Sequence, residues 1–247
     1  MCVIAFHWQP DGLVPLLVAA NRDEFYDRPT APLAWWEGGR ILAGRDLWSG
    51  GTWMGVSRDG RFAAVTNFRD PLQARKDAPS RGFIPLRFLE EGGSAAAFLG
   101  WLRKEAPRYA PFNVFVYDGV ELLAYESRHD RNPPLAPGLH AVSNGDFDEP
   151  WPKVEALKAG LAGGDMDNGA LLAMLGDARV YPDARLPSTG VPIEWERTLS
   201  PVFVRTPTYG TRASTILRLG RRRVIMLEQR FGAGGPEGLG EFQFRTG

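Results

Sequence analysis

The sequence has little of three things that would narrow its chemistry: cysteine, histidine and an excess of charge of one sign. It holds one cysteine, so no disulfide can form within the chain, which favours a reducing, cytoplasmic location. Its three histidines are scattered and have no metal-site spacing, so no metal is expected. Lys+Arg and Asp+Glu each total 29, and this lack of basic excess argues against a nucleic-acid partner.

Long apolar runs, targeting signals and nucleotide-binding loops are also missing. The apolar run at residues 13–20 is far shorter than the roughly 20 residues that span a bilayer, so no integral membrane segment is expected. No charged region with a cleavage site precedes Cys2, which argues against a secretory signal. The glycine-rich residues 232–240 lack the Lys-Ser/Thr ending of a phosphate-binding loop. A small-molecule substrate or ligand is the partner that remains.

The pattern of apolar residues and turns predicts a layered α+β domain. Short apolar runs between Pro-Asp-Gly, Gly-Gly and Asp-Gly turns predict strands, and apolar positions at helical spacing predict helices that Ser80 and Ser94 would cap. The predicted strands are 2–8, 14–20, 41–43, 52–57, 61–67, 112–117, 121–125, 139–143, 211–219 and 223–230, and the predicted helices are 80–90, 94–105, 151–161 and 168–175.

Two further segments are predicted to lack regular structure. A Pro- and Trp-rich stretch at residues 28–37 predicts a loop, and the glycine-rich residues 232–247 predict a flexible tail. No internal repeat and no long linker interrupts the sequence, so residues 1–247 are expected to form a single domain.

The single cysteine directly follows the initiator methionine. If Met1 is removed, Cys2 carries both a thiol, with a reference pKa of about 8.5, and a free α-amine, with a reference pKa of about 7.7–8.0. The amine can then accept the thiol proton, so that one residue supplies both the nucleophile and the general base. The alternative is a small, buried and inert cysteine in the core of the first strand.

Asn-Arg-Asp-Glu at residues 21–24 follows the second predicted strand. Antiparallel pairing of the first two strands would bring this turn beside Cys2. Arg22 would then favour the thiolate, and Asp23 would orient the amine. The alternative is a solvated charged turn.

Two asparagines and an arginine lie at the ends of later strands. Asn67 and Asn144 each follow an apolar run, where a side-chain amide can donate to a developing oxyanion or cap the strand end locally. Arg212 either pairs with Asp23, holds an anionic group, or is a strand-entry charge with a carboxylate partner. Trp53 belongs to an early aromatic cluster that either contacts a flat ligand or packs in the core.

Short motifs in a fixed order make the chain resemble the NRDE family, the family of transport and Golgi organisation protein 2. Met-Cys at the start and Asn-Arg-Asp-Glu at 21–24 are followed by Gly-Arg-Asp at 44–46, Gly-Gly-Thr-Trp-Met-Gly at 50–55, Val-Thr-Asn-Phe-Arg at 65–69, Ser-Arg-Gly at 80–82, Ser-Asn at 143–144, Pro-Trp-Pro-Lys-Val at 150–154 and Tyr-Gly-Thr-Arg at 209–212. The resemblance spans almost the whole chain.

That family is in turn similar to N-terminal nucleophile hydrolases of the conjugated-bile-acid and penicillin V type. The resemblance implies a four-layer αββα sandwich and a cysteine hydrolase of non-peptide amide bonds that needs no cofactor. Carried over by position, the implied catalytic residues are Cys2, Arg22, Asp23, Asn144 and Arg212. The candidate binding residues are Asn21, Asn67 and Trp53.

The same resemblance also implies two alternatives to an enzyme. Members of the NRDE family have been linked to haem trafficking and to lipid or acyl-CoA handling, which implies a non-catalytic carrier with Cys2 as a ligand contact. Any haem would be bound non-covalently, because the sequence has no Cys-x-x-Cys-His motif. The second alternative is a degenerate hydrolase fold kept as an interaction module.

Overall fold

A computed structural model describes residues 1–73, 77–164 and 166–246. Within these ranges the strands form two six-stranded antiparallel sheets. The first sheet contains β1 (Cys2–Trp8), β2 (Leu16–Phe25), β9 (Gly138–Val142), β10 (Tyr209–Leu219), β11 (Arg223–Gly232) and β12 (Gly235–Arg245), in the spatial order β12-β11-β10-β2-β1-β9. The second contains β3 (Thr30–Trp35), β4 (Ile41–Asp46), β5 (Met54–Ser57), β6 (Phe62–Asn67), β7 (Phe112–Tyr117) and β8 (Leu122–Glu126), in chain order.

Helices cover the outer face of each sheet. The second sheet is covered by α1 (Phe83–Glu91) and α2 (Ala95–Glu105), and the first by α3 (Pro152–Leu161) and α4 (Asn168–Leu175). A short helix, α5 (Ile193–Thr198), precedes β10. In the described part of the chain, no helix is long and apolar enough to cross a membrane.

Side-chain alternation along each strand divides the core into three apolar layers. Ile4 and Phe6 of β1 face the second sheet and enter the layer between the sheets, whereas Val3 and Ala5 face α3. A third layer lies between the second sheet and its helices. The expected αββα sandwich is therefore confirmed.

The first hairpin extends further than the sequence indicates. Strand β1 pairs with β2 from Trp8 opposite Leu16 to Cys2 opposite Arg22, as predicted. Strand β2 then continues to Phe25, because β10 pairs with it on the other side. The prediction of a charged turn at residues 21–24 is therefore wrong, since these residues lie in a strand that pairs with β10 and, as far as Arg22, also with β1.

Two segments predicted to be irregular are also strands. The loop predicted at 28–37 contains β3, an edge strand whose pairing with β4 is interrupted around Pro32, as expected for proline in a sheet. The predicted tail contains β12, which pairs with β11 along its whole length. Both predictions are wrong because inter-strand pairing overrides weak local strand propensity. Gly247 lies outside the described residues.

Candidate functional site

A cavity of about 630 Å³ opens where β1 begins, and both sheets contribute to its walls. The loop that precedes α1 closes one side. Six residues singled out from the sequence line this cavity, namely Cys2, Arg22, Asp23, Trp53, Asn67 and Arg212. The fold therefore brings together residues that are more than 200 positions apart in the chain.

Cys2 lies opposite Arg22 in the pairing of β1 with β2. The neighbouring pair, Met1 and Asp23, exchanges two backbone hydrogen bonds. Cys2 and Arg22 therefore form the non-hydrogen-bonded type of pair, in which the two side chains lie close together on one face. Burial raises the pKa of the Cys2 thiol, and the charges of the terminal amine and Arg22 act in the opposite direction.

Asp23 presents its carboxylate to the opposite face of the sheet from Arg22. Its Oδ1 accepts a hydrogen bond of 2.8 Å from the Thr211 hydroxyl. Burial raises the pKa of Asp23, while the charge of Lys153 is the strongest influence lowering it. Among the described residues, Asp23 Oδ2 is buried without a hydrogen-bond partner.

Lys153 is the main residue of this site that the sequence analysis did not single out. It lies in the first turn of α3, is 1% exposed, and donates a hydrogen bond of 3.0 Å to the Leu199 carbonyl. Burial lowers the pKa of Lys153 to about 8, and the charge of Asp23 counteracts this effect. The sequence signal for Lys153 was the Pro-Trp-Pro-Lys-Val motif. In this motif the lysine stands between Pro152 and Val154, two residues that the helix also buries.

Arg22 belongs to an ion-pair network at the cavity wall. Its Nη2 is 3.3 Å from Asp46 Oδ2 and 3.6 Å from Glu24 Oε2. Arg28 Nε lies 2.6 Å from the same Asp46 oxygen. The Nη1 atom of Arg22 is buried and has no hydrogen-bond partner among the described residues. The network holds the guanidinium beside Cys2 with one edge unused.

Arg212 is held by backbone carbonyls rather than by a carboxylate. It lies at an irregularity in the pairing of β10 with β2, and donates to the carbonyls of Phe25, Tyr26, Arg28 and Phe231. No carboxylate of the described residues lies within 4 Å of its guanidinium. Pairing with Asp23 and a carboxylate partner are both contradicted. The third alternative, that Arg212 holds an anionic group, stays a prediction.

The two asparagines occupy different positions. Asn67 lines the cavity at the end of β6. Asn144 is buried behind it, where its Nδ2 donates to the Asn67 carbonyl at 2.7 Å and its own carbonyl accepts from Arg69 N at 2.7 Å. Asn144 therefore joins the ends of β6 and β9, and one N–H of its amide remains for a further acceptor. Next to it, Ser143 Oγ donates to the Cys2 carbonyl at 3.0 Å.

Asn21 faces the helical layer rather than the cavity. Its Nδ2 donates to the Leu175 and Val202 carbonyls at 2.8 and 2.9 Å, and its Oδ1 accepts from Ser214 Oγ at 2.6 Å. The predicted binding role of Asn21 is therefore corrected to a structural one. The physical reason is that Asn21, like Asp23, points away from the face that carries Cys2.

Arg81 is a second cavity residue that the sequence analysis quoted only within a motif. Its Nη1 donates to the Pro111 carbonyl at 3.1 Å, and burial lowers its pKa while the charge of Cys2 raises it. The loop that carries Arg81 packs on the Gly-Gly-Thr motif: Thr52 N donates to Gly82 O at 3.1 Å. A Cβ atom on Gly51 would lie 2.6 Å from Gly82 C. The two glycine motifs are therefore in direct backbone contact.

The terminal amine of Met1 donates to Tyr209 Oη at 2.6 Å and to the Asp23 carbonyl. Its side chain packs beside Leu199, Val204 and Tyr209. Across residues 1–73, 77–164 and 166–246, no group of three His, Cys, Asp or Glu side chains is placed to hold a metal ion. The lining of the cavity combines the Cys2 thiol with guanidinium, amide and carboxyl groups.

Known proteins of one family resemble this chain along most of its length. The family model for Transport and Golgi organisation 2 matches residues 1–233. The Transport and Golgi organization protein 2 homologs of Bos taurus and Homo sapiens are each 32% identical to the chain, over 243 and 246 residues, and each match covers 88% of both proteins.

Among solved structures, the Caenorhabditis elegans ortholog of N-acylethanolamine-hydrolyzing acid amidase superposes with a TM-score of 0.53. The superposition covers 89% of this chain and 93% of that protein, at 12% sequence identity. This likeness concerns the fold alone. The chain belongs to the Transport and Golgi organisation 2 family and has the N-terminal nucleophile hydrolase fold.

Proposed function

We propose that this protein is a cysteine hydrolase of non-peptide amide bonds in which Cys2, freed of Met1, is the nucleophile. The observation that carries the proposal is that the only cysteine of the chain lines the cavity, on the same face as Arg22. The fold adds support, and the amide class is taken from the description of the nematode amidase. The reaction uses protein groups alone.

In the proposed reaction, the Cys2 α-amine accepts the thiol proton and the sulfur attacks the amide carbonyl carbon. The tetrahedral intermediate places negative charge on the former carbonyl oxygen, for which Asn67 and the remaining amide N–H of Asn144 are the candidate donors. Collapse breaks the C–N bond, and the ammonium group of Cys2 returns its proton to the leaving amine. Water, deprotonated by the same α-amine, then hydrolyses the thioester and regenerates the thiol.

Asp23 has two roles in this proposal, through its backbone and through its carboxylate. Its N–H lowers the pKa of the Cys2 thiol, and removal of Met1 frees this N–H from the Met1 carbonyl. On the opposite face, the carboxylate accepts from the Thr211 hydroxyl, and this contact supports this section of β2. Arg22 stabilises the thiolate from the cavity side.

The test combines intact mass with a panel of amide substrates. Mass spectrometry first establishes whether Met1 is removed, and alkylation at several pH values reports on Cys2 alone because it is the only cysteine. We expect a chain without Met1 whose turnover of at least one amide is abolished in Cys2→Ala. Retention of Met1, or turnover that survives in Cys2→Ala, would refute the mechanism. Thermal unfolding of the variant serves as the control for folding.

A second candidate function is a carrier of haem, or of a lipid or acyl-CoA, on the same fold. The observation that favours it is the cavity volume of about 630 Å³, within the range of small-molecule sites. In this role Cys2 contacts the ligand and needs no free amine. A visible absorption band on addition of haemin, or tight acyl-CoA binding without turnover, lost in Cys2→Ala, would support the carrier.

A further inference from the structure

Positive charge is in excess on the walls of the cavity. Four acidic residues belong to its lining, and one of them, Asp23, turns its carboxylate to the far face of the sheet. The lining also holds six arginines, namely Arg22, Arg28, Arg45, Arg81, Arg212 and Arg230. The whole chain, in contrast, has a formal net charge of zero. The excess is therefore a local property of this cavity.

The carboxylates of the cavity are already engaged by other groups. Glu24 and Asp46 pair with Arg22 and Arg28. Asp23 accepts from the Thr211 hydroxyl on the far face of the sheet. Glu228 accepts a hydrogen bond of 2.7 Å from the backbone N–H of Leu33. Arg230 pairs with Glu237 at 3.6 Å, and Arg45 stacks on the Trp36 ring.

Arg81 and Arg212 are the arginines left without a carboxylate near Cys2. In the described ranges, neither has a carboxylate oxygen within 4 Å. Arg81 uses Nη1 for the Pro111 carbonyl, and Arg212 uses Nε and Nη1 for carbonyls of β2 and β11 and the chain after β2. Each guanidinium therefore keeps donors that no described residue engages.

The loop of Arg81 is held in place by the backbone contact of Gly51 with Gly82. A guanidinium that is already positioned binds carboxylate or phosphate through paired hydrogen bonds at little entropic cost. Arg81 and Cys2 line the same cavity, and the charge of Cys2 acts on the pKa of Arg81. An anion held by Arg81 would thus share the cavity with the thiol.

We propose that Arg81 and Arg212, on the walls of the same cavity, form an anion-recognition subsite, so that the cavity selects ligands with a carboxylate or phosphate group next to the atom that Cys2 meets. For turnover this inference rests on the proposed hydrolase function. For binding it does not, because the subsite acts on any anionic molecule that enters the cavity.

The test compares alkylation of Cys2 by iodoacetate, which is anionic, with alkylation by the neutral iodoacetamide. The ratio of the two rate constants cancels differences in thiol pKa and access, and the single cysteine makes intact mass a complete readout. Relative to free cysteine, we expect the ratio to be raised about tenfold or more in the wild type, as for one charge-assisted contact. In Arg81→Gln the ratio should fall by at least about fivefold.

The matched control is Arg87→Gln, which removes an exposed arginine of α1 that pairs with Glu91. Its ratio should equal that of the wild type. A wild-type ratio no higher than that of free cysteine, or equal ratios in the wild type and Arg81→Gln, would overturn the proposal. Inorganic phosphate and succinate, each added as a competitor of iodoacetate, show which of the two anionic groups the subsite prefers.

If neither reagent labels Cys2, calorimetric titration with inorganic phosphate and succinate decides instead. Binding that weakens at least about fivefold in Arg81→Gln upholds the subsite, and no binding of either anion to the wild type overturns it. The amide panel is scored separately. Charge selectivity without turnover of any amide would refute the hydrolase proposal and support the anion subsite. Turnover without charge selectivity would support the hydrolase and refute the subsite.

Discussion

Neighbouring residues of β2 have opposite surroundings. Arg22 faces the cavity with Cys2, while Asp23 faces α3 with Lys153 and Thr211. Alternation along the strand is the cause, and it divides one charged motif between a ligand-facing side and a framework side. The roles of single residues in the motif therefore depend on their parity in the strand.

Asp23 and Lys153 are both buried without a direct ion pair, and each charge acts on the pKa of the other. We expect Lys153→Met to lower the free energy of unfolding by about 1–3 kcal/mol, since it leaves the buried Leu199 carbonyl without its donor. Asp23→Asn combined with Lys153→Met should cost less than the sum of the two single changes, because the charge of each residue favours the charge of the other. Urea unfolding of the two single variants and the double variant measures the coupling. Additive losses would contradict it.

His140 and Asp148 form a polar pair that supports the turn carrying Asn144. Burial opposes ionisation of Asp148, but hydrogen bonds from His140 and Lys158 outweigh it and lower the pKa of Asp148 to about 2. Because the pKa of Asp148 is lower in the folded than in the unfolded protein, its ionisation stabilises the fold fully at pH values above the unfolded pKa of about 3.9. This stabilisation is lost as the pH falls towards 2.

We expect Asp148→Asn to lower the free energy of unfolding by about 1–2 kcal/mol at pH 5, and the difference from the wild type to vanish by about pH 2. Asparagine tolerates the positive φ of 58° at this position, so the backbone is not strained by the change. Chemical unfolding across this pH range provides the measurement. Asp183→Asn, in an exposed ion pair with Arg197, is the control and should change little.

At the scale of elements, two glycine-containing segments determine where Arg81 lies. Gly51 and Gly82 approach so closely that no side chain fits between their backbones. The sequence shows both motifs but not their contact, because 30 residues separate them. The loop that carries Arg81 packs on the segment just before β5, and this packing sets the shape of one cavity wall.

Gly51→Ala should displace the loop of Arg81, since its Cβ atom would lie 2.6 Å from the backbone of Gly82. We expect about 1–3 kcal/mol of destabilisation and a lower iodoacetate preference at Cys2. The control is Gly100→Ala on α2, where no atom lies within 4 Å of the added carbon and helix propensity predicts a slight gain in stability. Thermal unfolding and alkylation test both variants, and an unaltered Gly51→Ala protein would contradict the close contact.

At the scale of the whole molecule, the ends of the two sheets are tied together beside the cavity. Asn144, from the end of β9, bonds to Asn67 and to the backbone of Arg69 beyond β6. Arg69 in turn pairs with Glu196 of α5, and their side chains are only 3% and 2% exposed. This chain of contacts crosses from one sheet to the other and then to the segment that covers Met1.

Loss of the Glu196 carboxylate should destabilise the whole domain. We expect Glu196→Ala to lower the free energy of unfolding by about 3–5 kcal/mol, because it leaves the Arg69 guanidinium buried without its partner. Denaturant unfolding gives the measurement. Glu91→Ala, which breaks an exposed pair with Arg87, should cost less than about 1 kcal/mol. Similar losses in both variants would show that the buried pair has no special weight.

Much of the fold was predictable from local signals. Strand β1, the hairpin to β2 and the helices α1 to α4 follow from apolar periodicity and turn residues. Strands β3 and β12 were not, because proline, glycine and exposed side chains obscure their pattern and only pairing with β4 and β11 reveals them.

For the site, the sequence by itself determined which residue types are available: one cysteine at the second position and a charged motif one strand away. Only the tertiary structure decided which of them face the cavity. It placed Asn21, the Asp23 carboxylate and Lys153 on the framework side, bonded Arg212 to carbonyls, and brought Arg81 to the cavity. The physical reason is that strand parity and long-range packing, which a linear sequence does not display, set the direction of each side chain.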